Sequence, residues 1–192
     1  MKHLSLPQTT LSAGQRGFTL VELVVAMALL AVLTMLAGPS FTETLRGWRR
    51  DSATRELATT LNLARSESIK SSRQMVACPS TNGTACVAGT EWRNGWLLYV
   101  DDGAGTPANA SNQVLNNGER ILKVVSARDG VASLTAPAGV QWLQFLPNGI
   151  MRTGAVANVT FTVTPTGATA VTKVDKVTVS PVGRVSIVTE LP

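Results

Sequence analysis

Histidine is nearly missing. The 192-residue chain has one, His3, close to its start, so the body of the sequence offers no imidazole for a Ser-His-Asp or Cys-His arrangement. Cysteine is equally scarce. Cys78 and Cys86 are too few for a four-ligand zinc site. Charged residues make up 15% and aromatics 5%, which leaves no acidic or basic block of the kind that marks a polyelectrolyte tail. Asp101 and Asp102 could serve acid–base chemistry only beside another carboxylate, and nothing in the sequence places one there. The chain therefore reads as a non-enzyme that needs no cofactor and no metal.

What the chain has is one long apolar run. Arg16 to Pro39, RGFTLVELVVAMALLAVLTMLAGP, holds about 20 apolar residues, enough for a helix of roughly 30 Å to span a bilayer. The run contains a single acid, Glu22. A carboxylate near the membrane core costs roughly 2.5 to 3.5 kcal/mol on insertion scales, so it needs a cationic partner. A secretory signal would carry its apolar region before the cleavage site and lose it. Here the small residue Gly17 precedes the run, and a plain anchor gives no reason for Glu22.

The segment Gly17-Phe18-Thr19-Leu20-Val21-Glu22 resembles the processing site of the type IV pilin superfamily. The resemblance implies cleavage by a prepilin peptidase between Gly17 and Phe18, N-methylation of Phe18, and pairing of Glu22 with the N-terminus of a neighbouring subunit. Pro39 matches a proline common in the family. A leader spanning 1–17 removes Lys2 and Arg16, so 17 basic residues become 15 against 12 acidic ones, a net +3 that points to no particular acidic partner. Lys2 and Arg16 stay cytoplasmic by the positive-inside tendency. The remainder is then expected on the periplasmic side of a bacterial inner membrane, crossed once. In that oxidising compartment Cys78 and Cys86 read as a disulfide pinning a loop rich in turn residues. It contributes about 2 to 3 kcal/mol on the loop-entropy estimate.

Beyond Pro39 a helical pattern continues to about Arg73 with Gly47 as its only breaker. Phe41, Leu45 and Trp48 form one stripe, while Leu57, Leu61, Ala64 and Ser68 form another about 160° to 200° away, so the helix changes its buried face. From Phe18 to Arg73 it would measure roughly 84 Å. Arg46, Arg49, Arg50 and Arg55 are expected on a solvated or headgroup-facing surface. Strands are expected at 74–78, in the second half of 92–100, and at 120–126, 140–146, 159–164, 174–180 and 184–189. The alternation of Val177, Val179, Val185 and Ile187 predicts a C-terminal hairpin with one half-buried face. The fold class is α+β, a long N-terminal helix followed by an antiparallel β-sheet or sandwich. Its parts are the leader 1–17, a transmembrane helix half 18–39, a periplasmic amphipathic half 40–73 and a β domain 74–192.

Ala64-Arg65-Ser66-Glu67, the Cys78 to Cys86 loop, Trp92 and Trp96, Asp101 and Gly183-Arg184 together resemble the GspH/FimT family of minor pilins and pseudopilins. The implied function is a subunit of a type II secretion pseudopilus or a type IV pilus, both of which use this N-terminal design. Its partners would be the prepilin peptidase, other pilin or pseudopilin subunits and the inner membrane. The alternative is a DNA-binding minor pilin acting in DNA uptake for natural transformation, which the resemblance ties to a C-terminal Gly-Arg-x-Arg segment. Here Ser186 replaces the second arginine of that motif, which removes one phosphate contact. The candidate DNA contacts are Arg152, Lys173, Lys176 and Arg184, one patch if the last hairpin folds near the Asn148 loop. The 101–119 segment is rich in oxygen ligands, but its spacing is not that of an EF-hand, and its Gly, Asn and Asp residues are ordinary turn formers.

Overall fold

The computed structural model describes residues 17–103, 112–116, 118–154 and 158–191, and omits the side chains of 36–40. Apart from Gly17, the leader read over 1–17 lies outside the described residues, as does part of the 101–119 loop. Two compact units divide the chain, Met1–Phe41 and Thr42–Pro192.

Helix α1 runs Leu20–Ser71, two residues short of the expected end. Ser72 stops it by adopting φ 54°, the left-handed geometry that commonly closes a helix. In the second unit its buried positions include Ala53, Leu57, Leu61, Ala64 and Ser68, all at 1% exposure or less, the expected stripe at helical spacing. Each buried leucine removes about 1.5 to 3 kcal/mol of apolar surface from water. Trp48, on the other stripe, is exposed.

Nine strands follow: β1 Met75–Pro79, β2 Gly95–Val100, β3 Ile121–Ser126, β4 Val131–Thr135, β5 Leu143–Phe145, β6 Met151–Arg152, β7 Val159–Pro165, β8 Val174–Val179 and β9 Val185–Glu190. They form two antiparallel sheets, ordered β3-β2-β1-β5-β6 and β4-β7-β8-β9. The fold is thus α+β as expected, with two sheets. β2, GWLLYV, is buried at every position, whereas β7, VTFTVTP, alternates buried and half-buried residues, so only one of its faces meets the core. The core joins α1 to both sheets. Trp92 meets Phe161 edge-on at 5.0 Å, and Trp96 Nε1 donates to Thr60 Oγ1 of α1 at 3.2 Å.

Several expectations change. β4 and β6 had no visible pattern. β4 opens with a bulge between Val131 and Ser133, and two residues cannot show a period. The 140–146 strand shrinks to β5 because Val140 closes a turn onto Pro137 O. The final hairpin forms, with Val179 opposite Val185; Val177 and Val179 are buried and Val185 packs on the core, while Ile187 on the same face is 45% exposed. β9 is the outermost strand of its sheet.

The arginines change most. Two of the four helix arginines expected in solvent, Arg46 and Arg50, are half-buried against the β unit, while Arg49 stays exposed with its stem beside Gly130. A Cβ placed on Gly167 would lie 2.9 Å from Arg46 Nη2, and one on Gly130 would collide with the Arg49 side chain. Arg50 Nε reaches Asp175 Oδ1 at 3.1 Å and its Nη1 donates to Lys173 O at 2.9 Å. Arg55 is exposed, as expected.

Candidate functional site

In the first unit, Gly17, Phe18 and Thr19 precede α1 and are exposed. Thr19 caps the helix, its Oγ1 accepting from Glu22 N at 3.2 Å. Glu22 is therefore the third helical residue of a Thr-x-x-Glu start, a role that sequence reading missed although the capping spacing was visible. An acid in the first turn gains about 0.3 to 1 kcal/mol from the helix dipole. That is less than the roughly 2.5 to 3.5 kcal/mol cost of a carboxylate in a bilayer, so the cap leaves Glu22 in need of a cation there.

The large apolar side chains described between Phe18 and Met35 are 51% to 80% exposed, so the first unit buries none of them. Among the described residues no helix is long and apolar enough to cross a membrane. The side chains of 36–40, which continue the apolar run, are not described.

Cys78 and Cys86 form a disulfide with Cα atoms 5.7 Å apart. The loop it closes is held by Val87 N donating to Pro79 O and by Ser80 Oγ donating to Ala85 O. Beside it, Asp101 is buried, its Oδ2 accepting from Gln144 Nε2 and Gln113 N at 3.1 Å each. Asp102 pairs with Arg73 at 2.6 Å. Glu119 accepts from Gly103 N and Asn116 N. Burial, together with Asp101 and Asp102, holds its carboxyl above the usual range against those two backbone donors. Burial also raises the Tyr99 phenol, and Asp101 and Glu119 add to the effect. Among the described residues no cluster of three or more His, Cys, Asp or Glu could hold a metal. On α1, Glu56 meets Lys123 at 2.8 Å and Arg128 at 3.3 Å. The hydrogen bond from Lys123 holds its carboxyl below the ordinary value.

Of the candidate DNA contacts, the fold brings two to one end. Met151 N donates to Pro181 O, which places β6 and its Arg152 beside the turn that carries Arg184. A Cβ on Gly183 of that turn would collide with Gly149 O and lie 2.9 Å from Arg65 Nε, so Arg65 of α1 reaches the same corner. Lys173 lies at the opposite end of β8, and Lys176 pairs with Glu190.

Residues 53–183 match the family model described as type II transport protein GspH, and residues 12–38 match the prokaryotic N-terminal methylation motif. The solved type IV minor pilin FimU of Pseudomonas aeruginosa (strain PAO1) is similar in fold. Its P21 crystal form shows 20% identity and a TM-score of 0.51 over 74% of this chain and 92% of that one. Its P65 form shows 18% identity and a TM-score of 0.50 over 74% and 96%. The minor pseudopilin EpsH from the Type 2 Secretion System of Vibrio cholerae gives 13% identity and a TM-score of 0.49 over 73% and 96%.

Proposed function

Because the chain belongs to the GspH family and carries an N-terminal methylation motif, we propose that it is a minor pilin or pseudopilin subunit built into a type II secretion pseudopilus or type IV pilus. Prepilin peptidase cuts between Gly17 and Phe18, and Phe18 is N-methylated. Residues 18–39 cross the inner membrane, since the sequence extends the described apolar run through Leu36 and Ala37 to Pro39, a length that suffices for a bilayer. Residues 40–73 continue the helix into the periplasm, where 74–192 form the β domain.

One observation carries this reading: an apolar helix start exposed on all sides, with a single acid that its cap cannot compensate. In the membrane the carboxylate of Glu22 is costly. In the filament it meets the α-amine of a neighbour's Phe18, so the desolvation cost is relieved only on docking. Glu22→Ala is expected to insert into the membrane as well as the parent, while its incorporation into filaments falls about tenfold or more, the equivalent of about 1.4 kcal/mol. Parent-like incorporation, measured by immunoblot of sheared filaments, would sink this mechanism.

The second reading, a DNA-uptake receptor, is supported by the corner that gathers Arg152 and Arg184. Two phosphate contacts give a salt slope of only about −2, against far steeper slopes for binders with 6 to 10 contacts. The assembly reading therefore stands first. Salt-sensitive retardation of duplex DNA by the full chain in detergent would reverse that order.

A further inference from the structure

Four strands end the two sheets: β3, β6, β4 and β9. Natural proteins blunt such edges with charge, proline, bulges, shortness or a covering segment. β3 carries Lys123 and a register shift opposite Leu98 and Tyr99. β6 is two residues long. β4 is covered by the chain around Trp92, whose N donates to Leu134 O, and Ala136 N donates to Thr90 O. β9 is the least protected. Its six residues pair with β8 in unbroken register, its one charge, Glu190, stands at the strand's end and pairs with Lys176, and Val185 to Thr189 include no charge and no proline.

The direction of its backbone groups follows from the turn. Ser180 N donates to Arg184 O at 3.0 Å, so the pairs 178/186, 176/188 and 174/190 are the hydrogen-bonded ones in an antiparallel ladder. Val185, Ile187 and Thr189 then point their N–H and C=O groups away from β8. Ile187 and Val188 are 45% and 54% exposed, one on each face of the strand. An outward row of backbone donors and acceptors flanked by exposed apolar side chains is the surface that accepts an added strand.

We infer that β9 is an acceptor edge for an extended segment of a different pilin-type subunit. A second copy of this chain fits poorly. In-register parallel pairing sets Arg184 against Arg184 and Glu190 against Glu190, and like charges directly opposite are unfavourable. Antiparallel pairing removes that conflict but reverses the helices. In the second unit α1 runs along β8, with Thr54 bonded to Asp175 and Arg65 against Gly183, so the second-unit helices of two such copies would run antiparallel, whereas subunits added to one filament repeat a single direction. The fitting segment is apolar at alternate positions, with an acid where it passes Arg184. This inference rests on the assembly reading for the class of partner.

The test places a photo-cross-linking phenylalanine analogue at Val188 of the full chain, in cells producing the native set of subunits, and identifies cross-linked peptides by mass spectrometry. The expected product joins β9 to an extended segment of another pilin-type subunit. Ile187→Pro removes only an outward N–H, as an edge strand tolerates. It should melt within a few degrees of the parent yet reduce the cross-link about tenfold, and Ile187→Lys should do the same by placing a charge on the edge. Ile187→Thr, which keeps the N–H, should retain the cross-link. No product, a product with a second copy only, or an unchanged yield in both Ile187→Pro and Ile187→Lys would overturn the inference. The cross-link is read in whole cells, not in filaments. A loss there with intact Glu22-dependent incorporation is a failure of the edge alone, and the reverse is a failure of the assembly reading.

Discussion

Asp175→Ala is expected to cost about 3 kcal/mol of stability, and more than any single surface change. Asp175 is 2% exposed. Its carboxylate accepts from Thr54 Oγ1 of α1 and Thr189 Oγ1 of β9, at 2.8 Å each, and meets Arg50 at 3.1 Å. Removing one partner of a buried pair costs about 3 to 5 kcal/mol when the other is left alone. Arg50 keeps Asp51 at 2.8 Å and Lys173 O, which moves the estimate to the low end. Thr54, which is buried, loses its acceptor, and an orphaned buried donor costs about 1 to 3 kcal/mol, whereas the exposed Thr189 hydroxyl can turn to solvent. For a domain of this size the melting temperature should fall by roughly 6 to 12 °C. Asp175→Asn, which still accepts from the threonines, should lose less. A denaturation midpoint unchanged by Asp175→Ala would mean that the network does not tie α1 to the last hairpin.

Gly183→Ala is the second large effect, about 2 to 4 kcal/mol. Gly183 has φ +74°, a Cβ there would collide with Gly149 O, and Arg65 leaves no room on the other side. The left-handed backbone alone costs about 1 kcal/mol for alanine, and overpacking adds about 1 to 3 kcal/mol because here the obstacle is main chain. Gly167→Ala separates the two terms. Gly167 has nearly the same φ, +73°, but what lies nearest its Cβ position is the flexible tip of Arg46, at 2.9 Å, which can swing away. Thermal melts should place it between the parent and Gly183→Ala, and equal losses for the two variants would remove the close-approach argument.

These two sites also show where the sequence was legible. Leu57, Leu61, Ala64 and Ser68 declared the buried face of α1, because a helix that packs on one side repeats its apolar residues at a fixed period. Val159, Phe161 and Val163 declared β7 for the same reason at period two. Asp175 gave no such signal: it sits in VDKVTV as one polar residue among valines, and its partners are 121 and 14 positions away. The arginines misled for a related reason. Arg46 and Arg50 look like a solvated face, since sequence shows a charge but not the turn that will lie beneath its stem. β9 alternates much as β8 does, and alternation does not tell an outermost strand from an inner one. Gly17, Phe18 and Glu22 could be singled out from sequence because they are contiguous with the run that gives them meaning. The cap from Thr19 was missed beside them.

The arginine seats bear on how relatives of this protein could be recombined. Arg46 rests on Gly167, Arg49 on Gly130, and Arg65 on both Gly149 and Gly183, so three helix positions are matched to four loops from both sheets. A chimera that exchanges the helix at residue 73 would separate each guanidinium from the glycine shaped to receive it. A junction near residue 42, upstream of Arg46, would transplant the N-terminal unit and keep every such match within one parent.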